Sequence, residues 1–249
     1  EKTAVSSDPT LVTATVSGDV LTLDYQADRN GAATITVTGL SNGQTADDVF
    51  EVTVDAVDDV PTFTSLPETN ATEDVFYSYQ VVATDADANA SLTISAAVLP
   101  DWLTLTDDGN GSGTLTGTPT NSEVGLHEVQ LTVTDETGLS SSQSFVLSVA
   151  NLNDAPDGFW LSNDVLVENQ PVDTVVGDFN ATDPDANASH AFALVDGNGS
   201  EHNHLFSIDG SGTLKTAAAL DHEANATLSI RAQAIDEHNA TLEKVFAIE

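Results

Sequence analysis

Acidic side chains recur in this chain adjacent to one another or one residue apart, as Asp58-Asp59, Asp85-x-Asp87, Asp183-x-Asp185 and Asp221-x-Glu223. Carboxylate oxygens gathered on loops suit a hard cation, and calcium takes six to eight oxygens at about 2.3–2.6 Å. A second chemistry is written in the asparagines. Eight of them are followed at +2 by Ser or Thr: Asn70, Asn89, Asn110, Asn180, Asn187, Asn198, Asn225 and Asn239. That spacing marks an acceptor for an N-linked glycan in an exported protein. All eight also carry Asp or Glu at −2, against two of the other eight Asn, so the acid belongs to the pattern. Some of these acids, such as Asp87, Asp185 and Glu223, belong to the cation pattern as well.

The longer acceptor resembles the extended sequon demanded by bacterial periplasmic oligosaccharyltransferases, which implies a bacterial surface glycoprotein with covalent N-glycans. The composition excludes several classes. Five Lys plus Arg stand against 40 Asp plus Glu in 249 residues, a formal charge of −35. Self-repulsion of that size opposes a compact state unless cations offset it. A nucleic acid or an anionic membrane surface would repel the chain. There is no Cys, so neither disulfides nor thiolate zinc sites are available, and metal clips are the natural stiffeners of small β-domains. No apolar run approaches the roughly 20 residues of a membrane span. The chain opens at Glu1 without Met and stops in the strand-like run VFAIE, so it reads as a piece of something longer.

The elements that must position these acids are strands. Leu21–Tyr25, Thr34–Thr38 and Glu128–Val133 alternate apolar and polar residues, with β-branched enrichment and Gly, Asn, Asp or Pro at their ends. Repeats appear at the junctions. Val54–Pro61 matches Val149–Pro156 in position and chemistry, and Ala83–Ser91 echoes Ala181–Ser189. The resulting expectation is three segments, 1–59, 60–154 and 155–249, the first short of one or two opening strands. A cut in the chain accounts for that shortness; a strand donated by a neighbouring copy is the alternative.

The third segment carries Val167-Glu168-Asn169-Gln170-Pro171, Thr182-Asp183-Pro184-Asp185, Leu205–Asp209, Leu220-Asp221-His222-Glu223 and Ala234-Ile235-Asp236, preceded by Asn151–Pro156. In order and spacing these resemble the cadherin pattern xEN, TDxD, LFxID, LDxE and AxD with its NxNDxP linker. The second segment, with Leu99–Leu103, Gly113–Pro119 and Val133–Asp135, resembles the dystroglycan-type cadherin-like module. The first resembles the closing half of bacterial Ig-like or cadherin-like repeats. The resemblance implies an all-β fold, tandem Ig-like/cadherin-like β-sandwiches in an extended rod, with Ca2+ at the joints. It assigns Asn151, Asn153, Asp154, Asp183, Asp185, Asp236 and Glu73 to the joint between the second and third segments. Asp58, Asp59, Asp85, Asp87 and Asp135 fall to the joint between the first and second. Glu168, Asp221 and Glu223 would serve a further repeat downstream. The second segment departs from the family by lacking LDxE, and Ala56 stands where the other linker has Asn151, so both joints lose ligands.

Catalysis has little support. No Gly-x-Ser-x-Gly elbow, HExxH or phosphate-binding Gly loop occurs, and His202 and His204 read as a loop pair. Asp107, Asp108 and Asp209 read as turn residues. Trp102 reads as a core plug and Trp160 as the more exposed of the two tryptophans. The functional expectation is a non-enzymatic, calcium-stiffened, N-glycosylated segment of an extracellular or cell-surface protein. Its partners would be calcium ions, its own glycans, and neighbouring copies or surface glycans. The alternative is a carbohydrate-binding accessory module of a secreted polysaccharide-degrading enzyme.

Overall fold

The computed structural model describes residues 1–87 and 89–249, which divide into two compact units. Unit one comprises Glu1–Thr69, Phe76–Thr118 and Leu126–Leu147, and unit two Asn70–Val75, Pro119–Gly125 and Ser148–Glu249. Among the described residues the only helices are two single 3-10 turns, Asn121–Glu123 and Asn203–Leu205. No helix is long and apolar enough to cross a membrane.

Unit one opens with β1 (Lys2–Ser6), β2 (Val12–Ser17), β3 (Val20–Tyr25), β4 (Gly31–Ser41) and β5 (Gln44–Val54). β1, β4 and β5 form an antiparallel sheet, and β2 pairs with β3. The β4–β5 turn is Asn42-Gly43, both at positive φ, 49° and 76°, as a two-residue hairpin of right-handed twist requires. Leu11, Val12, Ala33 and Ile35 form a small core here.

The chain continues through β6 (Thr62–Phe63), β7 (Asn70–Thr72), β8 (Tyr77–Thr84), β9 (Thr93–Val98), β10 (Leu103–Gly109), β11 (Ser112–Gly117), β12 (Gly125–Thr134) and β13 (Ser140–Ala150). One sheet runs β10-β11-β8-β6 and the other β7-β13-β12-β9. The alternation read from sequence is what folds them. Tyr77, Tyr79, Val81 and Ala83 of β8 and Val129, Leu131 and Val133 of β12 point inward, and the residues between them, polar except for Val82, point outward. Burying each aliphatic side chain contributes about 1.5–3 kcal/mol. Trp102 packs edge-on against Tyr77, with ring centroids 6.1 Å apart.

Unit two begins where the last residues of β13 pair in parallel with β7, Thr72 opposite Ala150. After a linker at 151–157 come β14 (Gly158–Leu161), β15 (Val175–Thr182), β16 (His190–Leu194), β17 (Phe206–Ile208), β18 (Thr213–Thr216), β19 (Leu228–Asp236) and β20 (Thr241–Ile248). The sheets β14-β15-β18-β17 and β16-β19-β20 close over one core. Phe159, Phe179, Phe192 and Phe246 interlock at its centre, with centroids 5.1–5.8 Å apart. In β19 every second residue from Leu228 to Asp236 is buried, so the strand that builds the core ends by burying a carboxylate.

Candidate metal centres and glycan acceptors

The parallel pairing of β7 with β13 sets the first feature of unit two. It carries Glu73, one residue past β7, against the start of the 151–157 linker. Glu73 is wholly buried. Its Oε1 accepts the Leu152 N–H, and its Oε2 is buried with no hydrogen-bond partner. An isolated carboxylate out of water costs several kcal/mol, so this oxygen calls for a cation. Carboxylate oxygens of Glu73, Asp154 and Asp185 lie within 4.8 Å of one another.

Hydrogen bonds from the linker and from the acids' own loops aim the neighbouring carboxylates. Asp183 Oδ1 accepts the Asp185 N–H at 3.0 Å, an Asx turn that aims both side chains. Asp185 takes the Asp154 N–H and the Asn151 amide, each at 2.9 Å. Asp236 Oδ1 takes the N–H groups of His238 and Ala240, and its Oδ2 accepts the Asn153 amide at 2.8 Å. Burial raises the Asp236 pKa, but the Asn153 amide and those N–H groups outweigh it and hold the carboxyl below its ordinary range. Of the acids that the resemblance assigns to this joint, Asp183 and Asp236 stand outside the trio, and Asp183 Oδ2 meets His190 Nε2 at 3.1 Å. Asn121, which nothing in the sequence singles out, donates to Asp154 Oδ2 at 2.8 Å.

Unit one repeats the design around the linker at 55–61. Asp87 Oδ2 accepts the Asp59 N–H at 2.7 Å, the counterpart of Asp185 with Asp154. Asp135 Oδ1 collects Thr137, Gly138 and Leu139 N–H groups at 2.7–2.9 Å, and Thr137 also bonds Asp58. Asp85 Oδ2 and Asp135 Oδ2 are buried without partners. Burial pulls Asp135 upward, yet its hydrogen bonds prevail and lower it. Asp59 is raised, by burial first and then by the charges of Asp28, Asp87, Asp85 and Asp58. Asp28 is thus a further acid facing this cluster, from a turn far upstream that sequence spacing gives no reason to choose. Among the described residues these acids form no group of three within 4.8 Å.

The third set, Glu168, Asp221 and Glu223, does form such a group. Glu168 Oε2 accepts the His222 N–H, Asp221 Oδ1 accepts the Glu223 N–H, both at 3.0 Å, and Glu168 and Asp221 line a cleft of about 230 Å³. The donor sets are all oxygen and carry orphaned buried carboxylate atoms at two of the three places, which fits calcium.

All eight sequon asparagines are exposed. Asn70 and Asn180 lie in β7 and β15, whereas Asn225 lies in the loop before β19. Asn89, Asn110, Asn187 and Asn239 sit in turns at positive φ. The sequons at Asn89 and Asn187 share a clamp not legible in sequence. Ser91 N–H donates to Glu136 and Ser189 N–H to Glu237, at 2.7 and 2.9 Å. His202 caps the 3-10 turn Asn203–Leu205, its Nδ1 accepting the Ser229 N–H, and His204 lies within that turn, so both belong to the loop.

Residues 165–248 match the family profile described as Cadherin domain, and residues 60–150 that described as Putative Ig domain. Cadherin-4 of Caenorhabditis elegans is 34% identical over 117 residues, 45% of this chain and 3% of that protein. Protocadherin-like wing polarity protein stan of Drosophila melanogaster is 27% identical over 239 residues, 89% of this chain and 7% of that protein. The chain therefore spans a small fraction of these relatives. Among solved structures, protocadherin gamma B7 extracellular cadherin domains 1–4 match with a TM-score of 0.59 at 20% identity, over 99% of this chain and 66% of that one. Human protocadherin-24 EC1-2 matches with a TM-score of 0.56 at 21% identity, over 76% and 97%. The chain carries cadherin-like repeats built as tandem β-sandwiches, and the Cadherin domain is an extracellular adhesion module, not an enzyme.

Proposed function

We propose that this chain is a calcium-stiffened, N-glycosylated structural and adhesive segment of a bacterial extracellular or cell-surface protein, an adhesin extender or filament subunit. The observation that carries the calcium reading is the buried, unpartnered Oε2 of Glu73 beside Asp154 and Asp185. When bound, calcium supplies positive charge that fixes linker and loops to one another. Glu73, Asp154 and Asp185 would hold it in unit two, with Asp183 and Asp236 at the rim. Asp58, Asp59, Asp85, Asp87 and Asp135 would do so in unit one, and Glu168, Asp221 and Glu223 at the cleft. The Asn151 and Asn153 amides, which now donate to Asp185 and Asp236, also carry oxygens and can join the ligand set. Asp59 is raised by burial first and by like-charge crowding second, and a bound cation would offset both. The bacterial and glycan parts rest on the acid at −2 in all eight sequons and on their exposure.

Thermal melting in EDTA and in calcium tests the reading. Calcium at 100 times its Kd stabilises by about 2.7 kcal/mol per site, a Tm rise of roughly 5–10 °C for a chain of this size. In Glu73→Gln that rise shrinks, while the EDTA Tm stays level or increases, because an uncompensated buried charge has gone. A wild-type Tm indifferent to millimolar calcium contradicts the proposal.

A further inference from the structure

Trp160 is the largest of the aromatics that the fold leaves exposed, beside Tyr25 and Phe76. It stands in β14 between buried Phe159 and partly buried Leu161, and is 43% exposed. β14 is an edge strand whose one neighbour is β15, with Gly158 opposite Thr182 and Trp160 opposite Asn180. The two-residue alternation sends Phe159 and Phe179 into the core and puts Trp160, Asn180 and Thr182 on the outer face. Directly opposed residues on one face have Cβ atoms about 4.5–5.5 Å apart. The acceptor and the hydroxyl residue of one sequon therefore share a surface with the exposed indole. The indole leans along its own strand over Gly158, its Cζ3 3.6 Å from where a Cβ on that glycine would stand. The Thr182 hydroxyl is held by Asp157 at 2.7 Å and the Asn180 amide by the Asp178 carbonyl at 3.1 Å.

We propose that Trp160 is the packing platform for the first sugars of a glycan on Asn180, so that modification at this site covers the indole and stabilises the folded sandwich. The inference rests on the N-glycosylation part of the proposed function. The sugar is bonded to Asn180 Nδ2, one cross-strand spacing from the ring. A pyranose offers a face of C–H groups, and the indole face is electron-rich and apolar. Covering it removes apolar surface from water. The covalent tether makes the contact intramolecular, so it forms at an effective concentration that a free sugar does not reach.

The test is a four-protein cycle made in a bacterial host carrying an oligosaccharyltransferase: wild type, N180Q, W160A and the double variant, with site occupancy read by glycopeptide mapping. The expected result is that the glycan on Asn180 raises Tm by about 2–4 °C with Trp160 present and not in W160A. Acrylamide quenching of the glycosylated wild type should also fall relative to N180Q, a readout that does not depend on W160A folding. A Tm gain that survives W160A, or quenching unchanged by the glycan, overturns the proposal. Asn180 left bare while other sequons are filled overturns it and leaves the N-glycosylation reading standing. All eight left bare overturns both.

Discussion

At the scale of single residues, the fold spends its burial on groups whose chemistry is then fixed. Tyr77 shows this away from the acids. Its hydroxyl donates to the Glu68 carbonyl at 2.7 Å, and burial first, then Glu68 and Tyr79, push its pKa up to about 12. An acid whose folded pKa is raised favours its protonated form. Its contribution to stability is therefore complete below pH 10 and declines as pH rises toward 12. Absorbance at 295 nm during alkaline titration should show a late step near pH 12 that Tyr77→Phe removes; a Tyr77→Phe titration curve with the same late step as wild type would contradict it. Asp209 is the opposite case. Lys215 first, then Ser211 and the Thr213 N–H, hold its carboxyl well below the ordinary range, so the stability this turn acid contributes is complete at neutral pH and is lost as pH falls below the ordinary carboxylate range. Among the ligand candidates, what the sequence showed was the acid itself. Which oxygen is orphaned was not visible, because Glu73 meets Leu152 and Asp135 meets its own loop only through the turn geometry.

At the scale of elements, period-two alternation was enough to place the strands that matter. Leu21–Tyr25 lies within β3 and Glu128–Val133 within β12. The cross-strand neighbours were not legible. Glu136 and Glu237 reach Ser91 and Ser189 across 45 and 48 residues, contacts that follow from pairing rather than spacing. The core of unit two rests on four interlocking phenylalanines, so Phe179→Ala should cost about 3–5 kcal/mol in guanidinium unfolding; a loss under 1 kcal/mol would mean that the sheets close over something else. Strand membership also sorts the sequons. Asn180 lies within β15, between β14 and β18, whereas Asn225 lies in the loop before β19. A purified oligosaccharyltransferase acting on the folded, unglycosylated protein should modify Asn225 faster than Asn180. In the urea-unfolded chain or its peptides the difference should vanish; equal rates in the folded protein would show that β15 opens freely.

At the scale of the whole molecule, a charge of −35 must be offset. Monovalent salt screens it over a Debye length of about 8–10 Å, whereas the proposed calcium would act at the buried oxygens that salt does not reach. The acids are placed unevenly for that purpose: two linkers and one cleft hold the clustered carboxylates, and hairpin acids such as Asp107 serve their own turns. The most direct measurement is a crystal structure grown in calcium, with anomalous differences recorded at a long wavelength. The account predicts a calcium peak within about 2.3–2.6 Å of Glu73 Oε2 and of oxygens from Asp154 and Asp185. A map with no peak there, Glu73 Oε2 still unpartnered and the Asn151 amide still on Asp185, would contradict it.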